Sequence, residues 1–278
     1  MPNTPSIAGV VLTLNEEQYL PRALASLAWC DELVVLDSGS TDSTCDIARS
    51  AGARVYQHIQ ESNFLITEQR NWALNNCSLT SEWVLFLDAD EEVGNELMST
   101  IISELSSNYL YDSYELAPRF LFMGCWLKRT QSYPCWHPRL VKRGHTYFTG
   151  GVWESFVPTA KVGRILQPYE HYAFSKGMVD WLQRHIRYAS WESSKTLDYL
   201  HAPHENKLLL TRSSTSRRIA FYLWPLRPFL RLVQKYILQF GFIDGWQSAL
   251  YCLLMFIYDS MTVIMIIEKR RLQQNLPL

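Results

Sequence analysis

No Cys-x-x-Cys pair occurs in this chain, although it has six cysteines: Cys30, Cys45, Cys77, Cys125, Cys135 and Cys252. At 278 residues it can bury a substantial core without a disulfide framework, so the cysteines read as reduced and mostly buried. Cys125, Cys135 and His137 match the spacing of no common zinc finger, which leaves little case for zinc. The chain has no Gly-x-Gly-x-x-Gly loop, no Walker-type lysine loop and no Gly-x-Ser-x-Gly elbow, so dehydrogenase, NTPase and serine-hydrolase readings lose support. It has no surplus of positive charge: 26 Lys and Arg face 27 Asp and Glu, and no nucleic-acid partner is expected. Internal repeats and low-complexity tracts are missing as well. The opening "MPNTPSIAGVVLTLNEE" lacks a basic start and a long apolar stretch, so it reads as no signal peptide and a cytosolic origin is expected.

What is present is a hydrophobic content of 47%, with 10 Trp and 15 Tyr concentrated after residue 110. Aromatics in that number suit carbohydrate or membrane-interface contacts, and core filling equally. The first half alternates strand and helix signals. "IAGVVLTL" (7–14) is a β-branched apolar run, and Glu16 to Trp29 sets Leu20, Ala23, Leu24 and Leu27 at helical spacing. "ELVVLD" is a second strand, followed by a Ser/Gly turn and a helix from Ser43 to Ser50 capped by Asp42 or Ser43. "ARVYQHI", "TEQRNWALNNC" and "EWVLFLDAD" complete a βαβαβαβ order, which predicts a doubly wound, mainly parallel sheet with flanking helices. In such a sheet ligands bind beyond the carboxyl ends of the strands, where Asn15, Asp37 and the acids from Asp88 to Asp90 fall.

"WVLFLDADEEV" (83–93) runs an apolar strand into four carboxylates. Acids crowded at one strand end raise each other's pKa unless a cation neutralises them, and hard divalent ions take oxygen ligands of this kind. The plainer alternative is that Asp90, Glu91 and Glu92 open a solvated helix, whose first turn favours acids.

Four motifs taken in order, "VVLTLNEEQYLPRALASL", "ELVVLDSGSTDST", "EQRNWAL" and "WVLFLDADEEV", resemble the family 2 glycosyltransferases of GT-A fold. The resemblance covers about residues 7 to 175, and within that family the chain looks most like the branch acting on lipopolysaccharide core or other envelope glycans. It implies an inverting transfer of a hexose such as glucose from a UDP-sugar, with Mg2+ or Mn2+ as cofactor. It also implies roles for particular residues. Thr13, Asn15 and Glu16 would hold base and ribose, Asp37 would meet the uracil, and Arg70 would lie near the diphosphate, where a guanidinium suits phosphate oxygens. Asp88 would touch ribose or the water shell of the metal, and Asp90 would be the direct metal ligand. Glu154 aligns with the acidic general base that an inverting displacement requires. Trp153 replaces the histidine usual before that residue, a departure that leaves acceptor details open. Arg139 would contact diphosphate or acceptor, and His171 would close over the donor phosphates. Asp112 and Glu115 stay open as alternative bases, and Asp42 reads as a plain helix cap.

The last hundred residues change character. A helical pattern starts near Trp181, with His185, Tyr188 and Glu192 at steps of three or four, and "HAPHENKLLLTRSSTSRR" reads as a polar connection. Beyond it, Arg217, Arg218, Arg227, Arg231 and Lys235 are mixed with Phe, Trp, Leu and Tyr, the composition of a helix lying on an anionic membrane surface. Ser248 to Ile267 is just long enough to span a bilayer, with Asp259 near its centre. Basic residues flank both ends, so an in-plane or re-entrant anchor is favoured over a span, and packing on the catalytic part or into a homo-oligomer is the alternative.

The expected organisation is a GT-A domain over 1–178, with a nucleotide-sugar half over about 1–95 and an acceptor half over about 96–178, followed by a helical region over 179–278. The expected partners are a UDP-sugar, a lipid-linked or lipopolysaccharide acceptor, and the cytoplasmic face of the inner membrane. A polyprenyl-phosphate sugar synthase and a catalytically silent nucleotide-sugar binder are the competing readings.

Overall fold

A computed structural model describes residues 5–60, 64–107, 110–150, 154–201 and 222–278. Trp153, Arg217, Arg218 and most of the polar connection lie outside them. The apolar runs form three largely buried strands, β1 (Ile7–Thr13), β2 (Glu32–Asp37) and β4 (Trp83–Asp88), and a half-exposed edge strand, β3 (Arg54–Gln57). They are parallel in the order β3-β2-β1-β4, linked through α1 (Leu20–Ser26), α2 (Thr44–Ser50) and α3 (Ile66–Asn76). Helix α1 is shorter than the Glu16–Trp29 pattern, because Pro21 in its first turn has no N–H and its ring would collide with the carbonyl four residues back.

The sheet continues as β8-β6-β11-β5, formed by β5 (Glu91–Glu92), β6 (Ser113–Phe122), β8 (His137–Lys142) and β11 (Val162–His171). β8 runs antiparallel to β4 and β6, β11 lies parallel to β6, and β5 returns antiparallel to β11. The sheet is thus mixed and mainly parallel, as the motif order predicts. The acids after Asp88 do not open a helix. Glu91 and Glu92 pair with His171 and Glu170 of β11, and α4 begins only at Asn95 (Asn95–Ser107). The short pairs β7 (Cys125–Trp126) on β6, and β9 (Phe148–Thr149) with β10 (Ser155–Phe156), complete the strands.

Alternation along β1 and β4 sorts side chains to the two faces. Val11, Leu85 and Leu87 pack with Leu20, Leu24 and Ile101 on one side, while Val10, Val84 and Phe86 pack with Ala73 and Phe148 on the other. Backbone contacts divide the chain into one unit of Met1–Phe120 with Tyr133–Ser175, and a second of Leu121–Ser132 with Lys176–Leu278.

The second unit is helical: α5 (Gly177–His201), α6 (Arg227–Leu232), a π-helical stretch Val233–Leu238, a 3-10 turn Gly241–Asp244, and α7 (Trp246–Gln273). α7 has 28 residues and a mean hydropathy of 2.1 in its most apolar window, so it is long and apolar enough to cross a membrane, yet 44% of that window is buried within the protein. Asp259 is fully buried on α7, with Arg227 Nε at 2.8 Å and Arg231 Nε at 2.9 Å. Arg227 also pairs with Glu192 at 2.8 Å, and Lys235 Nζ donates to the Thr130 carbonyl at 2.7 Å. The structure corrects the expectation that these cations face lipid headgroups. A buried carboxylate needs compensating charge, and the arginines turn inward to supply it.

All six cysteines are free. Cys77 and Cys252 are buried, but Cys135 is exposed and the others are half-buried, so "mostly buried" overstated the case. The Cys125 thiol donates to the Asp244 carbonyl at 3.0 Å.

Glu32, at the start of β2, ties down the turn before β4. Its carboxylate accepts from the Thr80 and Ser81 amides at 3.0 and 2.6 Å and from both hydroxyls, and it pairs with Arg54. Burial alone would raise this carboxyl, but the hydrogen bonds from Ser81 and Thr80 hold it at about 2, below its ordinary 4.5. A depressed native value means stabilisation that is fully present above 4.5 and lost as pH falls toward 2. The stability gap between the parent and Glu32→Gln in urea titrations is therefore constant at neutral pH and closes through that acid window; a gap independent of pH contradicts the assignment.

Candidate active site

The carboxyl ends of β1, β2 and β4 lie side by side, with Thr13 level with Asp37 and Leu12 level with Asp88. Asp37 is fully buried. Its oxygens accept from the Thr13 hydroxyl at 3.0 Å, the Gly39 and Ser40 amides at 3.0 and 2.9 Å, Gln57 at 3.2 Å, and the Ser40 hydroxyl. Burial would raise the carboxyl, but the bonds from Ser40, Thr13 and Gly39 outweigh it and hold it below the usual carboxylate range. Asp37 therefore folds the turn after β2 as an ionised acceptor, and any further donor reaching it must compete with those already bound. Asn15 takes up a left-handed backbone (φ 54°), and its side-chain oxygen accepts from the Thr41 amide at 2.9 Å. The Glu16 amide donates to Thr44 Oγ1 at 2.8 Å. These bonds knit the loops after β1 and β2 into one rim.

Beside that rim two guanidiniums are buried among three carboxylates. Arg70, fully buried on α3, engages Asp88 at 3.2 Å and Glu154. Arg139, only 4% exposed on β8, engages Glu91 at 2.7 Å, Glu154 at 3.2 Å and Asp88 at 3.4 Å. Burial would raise the Asp88 carboxyl, yet Arg139 and Arg70 pull it below its ordinary range. Burial prevails at Glu91, which is raised despite Arg139. Both arginines meet Glu154 through Oε2, so Oε1 has no protein hydrogen bond among the described residues. The imidazole of His137 sits in the same field. Burial, aided by the charges of Arg139, His171 and Arg70, drives it down to about 3 and keeps it neutral.

Asp90 lies two residues beyond the arginine-bound Asp88, with Ala89 between. Its carboxylate is 3.6 Å from His171 Nε2, at the end of β11, and its carbonyl accepts from the Tyr172 amide at 2.9 Å. Burial would lower the His171 imidazole, but Asp90 first, then Glu91 and Asp88, raise it, so positive charge is favoured at this point. The segment after His171 is latched to α1. The Arg22 guanidinium stacks 3.5 Å from the Tyr172 ring centre and lies 3.7 Å from Glu92, which also accepts from the Tyr172 hydroxyl at 3.1 Å. Tyr19 donates to the Ser175 carbonyl at 2.5 Å.

Asp88, Arg70, Arg139 and Glu154 thus converge, Asp90 meets His171, and Thr13 with Asp37 forms the floor of the neighbouring rim. Trp153 lies outside the described residues. Of the alternative bases, Glu115 pairs with Arg164 at 3.0 Å, and Asp112 has its amide and carbonyl bonded to the backbone of Lys161 and Lys142. Sequence reasoning passed over Glu91, which looked like part of an exposed acidic run, and Gln69, which is fully buried and bonds Ser38 at 3.0 Å and the His58 carbonyl at 2.9 Å. It also passed over the latch residues. For Glu91 a signal existed, since a strand places residues 88 and 90 on one face and 91 on the other.

Fold and site together define an α/β domain that gathers charge for a ligand at the carboxyl edge of its sheet. Residues 10–117 match the model of Glycosyl transferase family 2, and over that stretch the chain is similar to that family. The lipopolysaccharide core biosynthesis glycosyltransferase LpsC of Rhizobium meliloti is 29% identical over 168 residues, 59% of this chain and 61% of that protein. The 4,4'-diaponeurosporenoate glycosyltransferase of Staphylococcus haemolyticus is 36% identical over 98 residues, 34% of this chain and 26% of its own length. The chain therefore spans about three fifths of one of these relatives and a quarter of the other. Among solved structures, glucosyl-3-phosphoglycerate synthase from Mycobacterium tuberculosis, in complex with Mn2+, UDP and glucosyl-3-phosphoglycerate, aligns with a TM-score of 0.46 at 17% identity, covering 64% of this chain and 75% of that one.

The buried charge cluster makes a specific stability prediction. Arg139→Leu leaves Glu91 buried without its 2.7 Å partner and costs about 3–5 kcal/mol in denaturant titrations. Adding Glu91→Leu recovers a large part of that loss, because the uncompensated charge is then gone. No recovery in the double variant contradicts the pairing.

Proposed function

We propose that the protein is a metal-dependent, inverting glycosyltransferase that moves a hexose, glucose foremost, from a UDP-sugar to a lipid-linked or lipopolysaccharide-core acceptor at the cytoplasmic face of the inner membrane. One observation carries the reading: the Asp90 carboxylate and His171 imidazole meet at 3.6 Å beside the buried Arg70 and Arg139. Among the described residues no group of three or more His, Cys, Asp or Glu side chains is arranged for a metal ion. Two donors at a point where positive charge is favoured nevertheless fit Mg2+ or Mn2+, which commonly complete their shells with substrate phosphates and water. Asp90 and His171 would hold that ion. Bound there, it would neutralise the charge that grows on the departing nucleoside diphosphate.

The remaining roles follow from the chain's own side chains. The rim of Thr13, Asn15, Glu16 and Asp37 would hold base and ribose. Arg70 and Arg139 set the potential beneath the diphosphate and fix Glu154 by one oxygen, and the other oxygen would take the proton from the acceptor hydroxyl. Trp153 would offer the acceptor sugar a ring to stack on. The kinship with LpsC supports an envelope glycan as acceptor, and the apolar α7 supports association with a membrane.

The test is nucleotide release by purified protein with Mn2+ and each common UDP- or GDP-sugar, with and without membrane extract. Release is expected from a UDP-hexose, stimulated by extract and abolished in Asp90→Ala. Binding of UDP with no turnover of any donor overturns the enzymatic reading in favour of a silent binder. Glu154→Gln is expected to lower transfer by about a hundredfold or more, with donor affinity kept. Full activity of that variant indicates a phosphate nucleophile that needs no base, as in a polyprenyl-phosphate sugar synthase.

A further inference from the structure

Every charged side chain between Tyr222 and Trp246 has an interior partner within the second unit. Arg227 meets Glu192 and Asp259, both at 2.8 Å, and Arg231 meets Asp259 at 2.9 Å. Lys235 donates to the Thr130 carbonyl at 2.7 Å, and Asp244 accepts from the Arg129 and Thr130 amides and the Thr130 hydroxyl, each at 2.8 Å. No charged side chain is left facing out, and apart from Gln234 the outward side chains are apolar: Phe229, Ile237, Leu238, Phe242, Ile243 and Trp246 are each at least half exposed. This inverts the ordinary arrangement, in which charge covers the outside of a soluble helix. The turn between the two halves of the stretch is held in a costly conformation. Phe240 is left-handed at φ 56° and 55% exposed, and a Cβ on Gly241 would come within 2.4 Å of the Lys235 carbonyl. A bulky residue at positive φ is sparsely populated, and such outliers cluster where function needs them.

We propose that this uncharged face, from α6 through the 3-10 turn to the start of α7, is the surface by which the protein enters a lipid bilayer, and that it binds by apolar insertion without requiring anionic lipid. The inference rests on the membrane association proposed above and specifies its chemistry. A bilayer is the occupant that matches a face with every charge withdrawn, because a protein partner is ordinarily met through a polar and charged rim around a smaller apolar centre. Aromatic rings with aliphatic side chains are the composition that partitions at the headgroup boundary. The inward ion pairs also give the segment its shape, since they fasten α6 to α7 and α5 with the apolar side chains outward.

Co-sedimentation of the full chain with vesicles tests this. With pure phosphatidylcholine, and with phosphatidylcholine containing phosphatidylglycerol, binding is expected to agree within about threefold and to survive about 0.5 M salt, where exposed charges are screened. Ile237→Glu with Phe242→Glu is expected to weaken vesicle binding about tenfold or more. That variant should keep the parent's melting temperature and its nucleotide release from a soluble donor; Ile237→Ser with Phe242→Ser, milder at the same positions, should weaken binding in the same direction. Binding only to phosphatidylglycerol vesicles and lost in salt overturns the inference while membrane association stands. Undiminished binding by both variants overturns it too, by assigning the contact elsewhere. Failure to bind either vesicle overturns membrane association itself, and sedimentation velocity then shows whether a second copy covers the face. Donor turnover, assayed without lipid, stays independent of all these results.

Discussion

Two buried guanidiniums organise the charged edge of this sheet. Arg70 and Arg139 come from different elements, α3 and β8, and they meet on the same two carboxylates, Asp88 and Glu154. Neither arginine is tolerable in a core alone, and neither are the acids. Together they form a network whose members compensate each other, at the carboxyl edge of the sheet. Asp90 is thereby distinguished from Asp88 although only Ala89 separates them: Asp88 is held by arginines, and Asp90 is turned toward His171.

The second unit repeats the principle for another purpose. Asp259 interrupts an otherwise apolar helix, and two arginines from α6 neutralise it. Arg227, Arg231 and Lys235, which look in sequence like headgroup contacts, are internal fasteners, and the apolar residues between them are what reaches the outside. In both units the formal charges act mainly by where they are withdrawn to.

The latch between α1 and the segment after β11 holds the Asp90–His171 pair in place. Arg22, Glu92 and Tyr172 hold the chain immediately beyond His171, while the Tyr172 amide grips the Asp90 carbonyl. The imidazole and the carboxylate are therefore presented to each other by backbone as well as by attraction.

By itself the sequence determined the βαβαβαβ order, the three strand ends that carry polar residues, the family resemblance and the long apolar helix near the end. These depend on local periodicity and on short motifs, which neighbouring residues settle among themselves. Only tertiary structure decided that the acids after Asp88 enter an edge strand rather than a helix, since that turns on pairing with β11 some eighty residues further along. It alone decided that Glu91 is a buried ion-pair partner, that Glu154 is oriented by two arginines, and that Arg227, Arg231 and Lys235 face inward. A charge in a sequence carries no mark of its counter-ion, and the energy that fixes its direction comes from desolvation and pairing with residues far away in the chain.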